Sequence, residues 1–561
     1  MQRQGTDDGA YARFQRDVAS RNASLRPPRV PPTHDDLCFP PERRLQPQQR
    51  FVERFLGPGS PHAGLLVFHR AGAGKTCAAI RVAEAWRTAP NPRRVVVLLP
   101  ASLVANFRAE MRAPCADAAD AADAYEVLSF HAFVKLARAR ANAKGEARFD
   151  LRNAVLIVDE VQNVVSERGA FYRTLLEVVR AAPADLRVLL MSATPIGDRP
   201  SDIALTLNLL RPAEPLPVGR AFDAAFVEVT RVYDRELGPD GKVATTSVVS
   251  EARVAVNLDR FAALTRGMVS YYEAAEAAFP RTRHRVVRCP MSAYQWRSYR
   301  VHERGRWGGG GAGAYVDLLR LPKDFLLGLR QLSDVAFPNR LTGEEGLASF
   351  AGAALDDVDT YSCKMGRLLR AVDAARGPVF VYSHFLRHVG VECLARLLER
   401  RGYANALTAG ADGRRYAVWS GDESAADRAA ALEMFNRPEN RDGRVLKVIL
   451  GSPAMKEGVS LLRAREVHVL EPYWNDARIE QVAARAARFC SHRDLPTSQR
   501  RVDVFVYAAV APPGTTKRGE DEEVTVDERI LAMADAKARL AREFVDVLRS
   551  NAVDRDLFFP E

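Results

Sequence analysis

The stretch that most constrains the 561-residue chain is short. Leu65-Leu66-Val67-Phe68 reads as a buried strand, His69-Arg70-Ala71-Gly72-Ala73-Gly74 as a glycine-bearing turn, and Lys75-Thr76 opens an apolar helical stretch. Glycines let the backbone turn tightly, so that successive N–H groups face one anion, and the helix N-terminus adds a favourable dipole. Lys75 supplies a point charge to the β- and γ-phosphates of a nucleotide, and the Thr76 hydroxyl is a Mg²⁺ ligand. His69, Arg70, Ala71, Gly72, Ala73, Gly74, Lys75 and Thr76 are therefore the candidate nucleotide-binding residues. His69 stands where the full G-x-x-x-x-G-K-[ST] pattern has glycine.

The surrounding pattern agrees with a nucleotide fold. Apolar runs at residues 64–68, 95–99, 125–128, 154–158 and 188–191 are separated by helix-like stretches at 76–86, 103–111 and 170–181. Buried runs of four to six residues alternating with helices predict βα units and a parallel sheet. The alternation lapses after residue 211 in a stretch read as mostly helical, with a glycine-rich loop at 308–313 read as a flexible tip. It resumes at 379–382, 416–419, 447–450, 467–470 and 502–507. The expected organisation is a mobile N-terminal arm (1–35) with one helix around Tyr11–Ala19, an α/β domain (36–210), a helical linker or insertion region (211–365), a second α/β domain (366–510) and a helical tail (511–561).

Val155-Leu156-Ile157-Val158-Asp159-Glu160 is an apolar strand ending in two carboxylates. Asp159 would hold the metal, and Glu160 would orient or deprotonate the attacking water. The next strand ends in Ser192-Ala193-Thr194-Pro195, where Ser192 and Thr194 can bridge by hydrogen bonds. Composition narrows the class. Hydrophobic residues make up 47% and charged residues 27%, an ordinary globular balance. No apolar run approaches the roughly 18 residues needed to span a membrane. The N-terminus has no apolar stretch, so no secretory signal is expected. Seven scattered cysteines without a C-x-x-C pair predict neither a disulfide framework nor a zinc ribbon, and suggest a reducing compartment. The net charge of +11 favours a polyanionic partner such as nucleic acid.

In their order, Gly72-Ala73-Gly74-Lys75-Thr76, Asp159-Glu160-Val161-Gln162 and Ser192-Ala193-Thr194-Pro195 resemble motifs I, II and III of the superfamily 2 helicase-type ATPases. Val379-Phe380-Val381-Tyr382-Ser383 is similar to motif IV, and Lys456-Glu457-Gly458-Val459-Ser460-Leu461 to motif V. Gln481-Val482-Ala483-Ala484-Arg485-Ala486-Ala487-Arg488 is similar to motif VI, with Ala484 where glycine is usual. Arg44-Leu45-Gln46-Pro47-Gln48-Gln49 resembles the adenine-reading element, with Gln49 at its key position. Leu66-Val67-Phe68-His69, Ile196, Leu207-Asn208-Leu209-Leu210-Arg211-Pro212, Trp474-Asn475, Ser491-His492 and Thr525-Val526-Asp527-Glu528 narrow the likeness further. They resemble the nucleoside triphosphatase I family of poxviruses and its relatives in other large cytoplasmic DNA viruses. Gly267-Met268-Val269-Ser270-Tyr271-Tyr272-Glu273 is also similar to the sister group, the small subunit of the viral early transcription factor. The poxvirus proteins extend beyond the length of this chain, so their last region is expected to be missing here.

The resemblance implies two RecA-like parallel-sheet domains with ATP between them, a helical insertion and a helical tail, and ATP and Mg²⁺ as cofactors. It assigns Lys75, Asp159, Glu160, Gln162, Arg485 and Arg488 to catalysis, Gln49, Gly458 and Gln481 to the nucleotide, Thr76 and Asp159 to the metal, and Ser192 and Thr194 to coupling. Arg485 and Arg488, three apart, would share a helix face. Nucleic-acid contacts are expected at Pro100, Ser129, Ser383 and Gly451, through sequence-independent phosphate binding; Trp296, Trp307 and Trp419 are read mainly as core residues. The implied function is a DNA-dependent ATPase that translocates on DNA, preferably single-stranded, in viral transcription: elongation, termination and transcript release. Alternatives are a promoter-engaging ATPase like the early transcription factor, a strand-separating DNA helicase, or a degenerate ATPase that scaffolds viral RNA polymerase. The expected partners are DNA, nascent transcript, and viral RNA polymerase or transcription factors. A monomer in the virion and the host-cytoplasmic viral factory is expected.

Overall fold

A computed structural model of the chain describes residues 8–559 except 29, 42–44, 112–114, 116–123, 238–242, 274–275, 307–325, 411–412, 457–458 and 516–523. The chain divides into two units. The first comprises residues 1–229, 253–277 and 537–561, and the second residues 230–252 and 278–536. In chain order the strands among the described residues are β1 (Gly64–His69), β2 (Arg94–Leu99), β3 (Tyr125–Ser129), β4 (Ala154–Val158), β5 (Arg187–Ser192), β6 (Val227–Leu237), β7 (Val243–Ala255), β8 (Val269–Tyr272), β9 (Arg281–Pro290), β10 (Val379–Tyr382), β11 (Ala404–Asn405), β12 (Arg415–Trp419), β13 (Val448–Gly451), β14 (Glu466–Val469) and β15 (Arg501–Val510).

The first unit is built on a parallel sheet in the order β3-β2-β4-β5-β1-β8. Its central strands β2, β4 and β5 read as apolar runs because both faces are covered. Side chains alternate between the faces. Leu66, Val96, Leu98, Leu156, Val158 and Leu190 enter one core, together with Phe222, Phe226, Phe261 and Phe544. Leu65, Val67, Val95, Val97, Val155, Ile157, Leu189 and Met191 enter the other, with Phe51 and Phe558. Each such side chain, fully buried, contributes roughly 1.5–3 kcal/mol.

The second unit repeats the plan with the order β11-β12-β13-β10-β14-β15-β9, again all parallel. Val379, Val381, Val448 and Leu450 pack on one face, and Phe380, Ile449, Val467, Val469 and Val504 on the other. The two-sheet α/β architecture is thus the one that the sequence predicts. No described helix is long and apolar enough to cross a membrane.

Three features differ from the sequence reading. The N-terminal arm is not loose over its described length. Helix Asp8–Arg21 buries Val18 and Ala19 in the first unit, and Tyr11 Oη and Gln15 Nε2 donate to the backbone of Asn551 and Ala552 at 2.7 and 2.8 Å. Its apolar positions are few, so the sequence reads as polar, although Phe14, Val18 and Ala19 pack on the core.

The middle stretch carries more strand than its spacing suggests: the two-stranded sheet β6–β7, and β8 and β9, which join different sheets. β9 is an edge strand and mostly exposed, so it needs no apolar alternation. The glycine loop at 308–313 and Trp307 lie outside the described residues, while Trp296 and Trp419 are partly buried against the second unit's cores. Finally, Cys77 and Cys115 form a disulfide, with Cα atoms 5.3 Å apart. A spacing of 38 residues gives no local sign of such a pair.

Candidate active site

Because each sheet is parallel, the carboxyl ends of its strands share one edge, where open α/β folds bind ligands. In the first unit β1 ends at His69. The turn beyond it is closed by Ala73 N–H, which donates to Arg70 O at 3.1 Å, while Arg70 N–H donates to Tyr272 O on β8 at 3.0 Å. Gly72 and Gly74 have φ of +81° and +80°, where any side chain is strained. At Gly74 a Cβ would also lie 2.3 Å from Gln49 Nε2. Helix Lys75–Arg87 begins immediately, so its first N–H groups and dipole face the turn that Ala71 and its neighbours form, with Thr76 in the first helical turn.

Lys75 is buried, and its Nζ donates to His69 O at 3.1 Å. The His69 ring is fully enclosed. Burial first, and then the charge of Lys75, push its pKa down to about 3, so the imidazole is neutral at pH 7. Its Nε2 lies 2.8 Å from Ser270 Oγ on β8.

Helix Pro47–Leu56 braces the same turn. Gln48 Nε2 donates to Ala73 O at 3.2 Å, and Gln49 Nε2 donates to Gly74 O at 3.1 Å. Gln49 Oε1 accepts from Gln46 N–H at 2.8 Å in a capping box. The amide that the resemblance assigns to adenine is thus committed at both ends within the chain. In the chain itself Gln49 shapes the turn.

β4 delivers the carboxylates. Asp159 N–H extends the sheet by donating to Leu98 O at 2.9 Å, and the side chain is buried, with Oδ1 accepting Glu160 N–H at 2.9 Å. Glu160 has φ +51°, a left-handed conformation uncommon outside glycine. From there a chain of hydrogen bonds runs to the next strand. Gln162 Nε2 donates to Glu160 Oε2 at 2.5 Å, Ser192 Oγ donates to Gln162 Oε1 at 2.7 Å, and Thr194 N–H donates to Ser192 Oγ at 3.0 Å. β5, which carries Ser192, lies between β4 and β1, so the topology sets this serine between the carboxylates and the phosphate turn. Pro100 and Ser129 lie at the same edge, ending β2 and β3. Ser129 Oγ caps helix Phe130–Ala139 by accepting Ala132 N–H at 3.2 Å.

In the second unit the edge residues are more enclosed than expected. Ser383 is fully buried. Its Oγ donates to Glu471 Oε1 at 2.5 Å, and His384 N–H donates to Glu471 Oε2 at 2.8 Å. Burial pushes the Glu471 pKa up. A strand contact from the Ser383 hydroxyl is therefore corrected: that hydroxyl is held inside. Gly451 is buried too, and a Cβ there would lie 2.6 Å from the Phe380 ring, so packing accounts for the glycine.

Helix Asp476–Ala483 carries Gln481 and ends before the two arginines. Arg485 and Arg488 lie in the turns that follow, not on one helix face. Leu461 N–H donates to Arg485 O at 2.8 Å. Arg485 Nε donates to Gln481 O at 3.1 Å, and Arg488 Nη1 to Ser460 Oγ at 2.6 Å. Gly458 lies outside the described residues. Sequence reasoning missed Gln48, Ser270 and Glu471. Only Gln48, adjacent to Gln49, carried a signal.

No protein-family model matches the chain. It is 35% identical to "Putative ATP-dependent RNA helicase R563" of Acanthamoeba polyphaga mimivirus, over 94% of this chain and 93% of the relative. It is 26% identical to a "Termination factor NPH-I homolog" of African swine fever virus, over 89% of this chain and 77% of the relative. With "Putative helicase 009L" of Frog virus 3 it shares 25% identity, over 91% and 53% of the two chains.

Proposed function

The chain belongs to the superfamily 2 helicase-type ATPases of large DNA viruses, and from that premise we propose that it is a DNA-dependent ATPase that moves along DNA in viral transcription, acting in elongation, termination and transcript release. ATP hydrolysis comes with the family. The observation that carries the reading is the hydrogen-bonded chain from Glu160 through Gln162 to Ser192 and Thr194. It links the carboxylate suited to activating water with the loop after the neighbouring strand, so a change at one end is felt at the other.

In this reading Lys75 and the N–H groups of the glycine turn hold the phosphates, and Glu160 accepts the proton of the attacking water. Gln162 fixes the Glu160 carboxylate. Arg485 and Arg488 stabilise charge on the transferring phosphoryl group. The buried Asp159 carboxylate and the Thr76 hydroxyl are hard oxygen donors that fit Mg²⁺ and would hold it. When bound, Mg²⁺ supplies neutralisation of the phosphate oxygens. Pro100 and Ser129, on the nucleotide-bearing edge, are the strand contacts of this reading. The partners are DNA, the nascent transcript and viral RNA polymerase, in the virion and the cytoplasmic factory.

The test is ATP turnover with no polymer, with single-stranded DNA and with single-stranded RNA, in the parent and in Arg488→Ala. DNA stimulates the parent. The variant keeps nucleotide affinity within about tenfold and loses about 10³-fold in turnover. Stimulation by RNA alone would replace DNA by RNA as the track. Normal, DNA-responsive turnover in Arg488→Ala would overturn the reading.

A further inference from the structure

His69 occupies the position at which the phosphate-loop pattern has glycine, and nothing in the hydrolytic reading uses its ring. The ring is fully buried and leads away from the nucleotide turn. His69 Nε2 lies 2.8 Å from Ser270 Oγ, and Ser270 Oγ donates to Asp554 Oδ2 at 2.5 Å. The other oxygen, Asp554 Oδ1, accepts Tyr271 N–H at 3.0 Å. With Asp554 ionised, the Ser270 proton goes to Asp554 and the hydroxyl accepts from His69 Nε2–H. Asp554 precedes the short helix Arg555–Phe558 but makes no side-chain cap to it, the usual use of an aspartate there. Its carboxyl is turned toward β8 instead.

The segment that carries Asp554 is anchored on both sides. Val553 N–H donates to Val269 O at 2.8 Å, Asn551 Nδ2 donates to Ala262 O at 2.6 Å, and the Phe558 ring meets Tyr272 edge-on at 5.2 Å. Tyr272 O in turn accepts Arg70 N–H, inside the phosphate turn.

We propose that Asp554 is a positioning residue for the nucleotide: through Ser270 it clamps the His69 ring, and so fixes the first residue of the phosphate turn and the carbonyl beside Lys75. A glycine at this position needs no such clamp and offers no handle for one. Here the side chain makes the turn's geometry depend on a segment nearly five hundred residues away in sequence. The effect falls on nucleotide binding, in ground state and transition state alike, and therefore on KM more than on kcat.

This inference rests on the assignment of Lys75 and its turn to the triphosphate. The experiment is steady-state ATP hydrolysis by the full chain in Asp554→Ala, Asp554→Asn, His69→Gly and the double variant His69→Gly/Asp554→Ala, with thermal unfolding of each. Asp554→Ala is expected to raise KM about tenfold with kcat within about twofold, the scale of one hydrogen bond to a charged group. Asp554→Asn, which keeps an acceptor for Tyr271 N–H, recovers most of that loss. In the His69→Gly background Asp554→Ala adds nothing to KM, because the two residues act as one unit. An unchanged KM in Asp554→Ala, or a full effect that persists without His69, overturns the proposal. Should Asp554→Ala fail to fold, Ser270→Ala takes its place in the same cycle and reads the same coupling. Lys75→Ala run alongside separates the two levels: turnover surviving there removes the triphosphate assignment itself, whereas loss of turnover with an unaltered Asp554 cycle removes only the clamp.

Discussion

At the residue scale the first unit keeps two titratable groups in one buried chain, shifted in opposite directions. Asp554 is pushed up to about 7 by burial, from 3.8. Its contribution to stability is full below about pH 4 and is lost as pH rises toward 7, because the folded state holds a proton that the unfolded state has released. His69 is pushed down to about 3 from 6.5, by burial and then by Lys75. Its contribution is present above about pH 6.5 and is lost as pH falls toward 3. Between about pH 4 and 6.5 the two slopes oppose, each at most roughly 1.4 kcal/mol per unit. Relative to the parent, Asp554→Asn should therefore gain stability as pH rises from about 4 to 7, and His69→Gly should lose it from about 3 to 6.5. Urea unfolding across that range measures both. Slopes of the same sign would show that the groups do not titrate as described. Glu160→Gln offers a second test. The amide cannot accept the water's proton, so the variant should bind ATP and fail to hydrolyse it, as filter binding and turnover would show. Lost binding with retained turnover would make Glu160 structural.

At the scale of elements, the long helix Val526–Ser550 brings Phe544 into a nest of aromatic rings in the first unit. Its ring lies 5.5 Å from Phe222 and 5.1 Å from Phe261, and all three are fully buried. Phe544→Ala should destabilise the unit by about 3–5 kcal/mol, measured by chemical denaturation. A loss below about 1 kcal/mol would mean that the helix is not docked there. Helices and strands differ in how far the sequence announces them. The turn from His69 to Thr76 is legible because strand, glycines and Lys-Thr are contiguous, and β4 because its apolar run ends at Asp159. β8 is four residues with Ser270 in its interior, too short and too polar to read as a strand, although it completes the sheet beside β1. β9 needs an apolar lining on only a few positions. Ser270 lies 201 residues from His69 and 284 from Asp554, and a single polar contact at such range leaves no periodic trace. The arginine pair misleads for a related reason: spacing of three predicts a shared helix face only while the helix lasts, and this one ends at Ala483.

For the molecule as a whole, a net charge of +11 bears on how it meets a polyanion. Binding to a single strand should weaken with salt, with a slope of log affinity against log salt of about −0.7 per phosphate neutralised. Fluorescence anisotropy with labelled oligonucleotides of unrelated sequence measures it. Affinity that ignores salt, or that follows sequence, would argue against backbone binding. The division of the chain has a consequence in time. The first unit opens the sequence, yet it is closed by residues 253–277 and 537–561. On a ribosome adding roughly 5–20 residues per second, about three hundred residues must be made between Val229 and Lys537, so the phosphate turn emerges tens of seconds before the aspartate that braces it. Through that interval Phe222 and Phe261 wait without Phe544, and His69 without its clamp. A nascent chain of this design is an aggregation risk before it is an enzyme, and its phosphate site stays incomplete until the segment that carries Phe544 and Asp554 has been made.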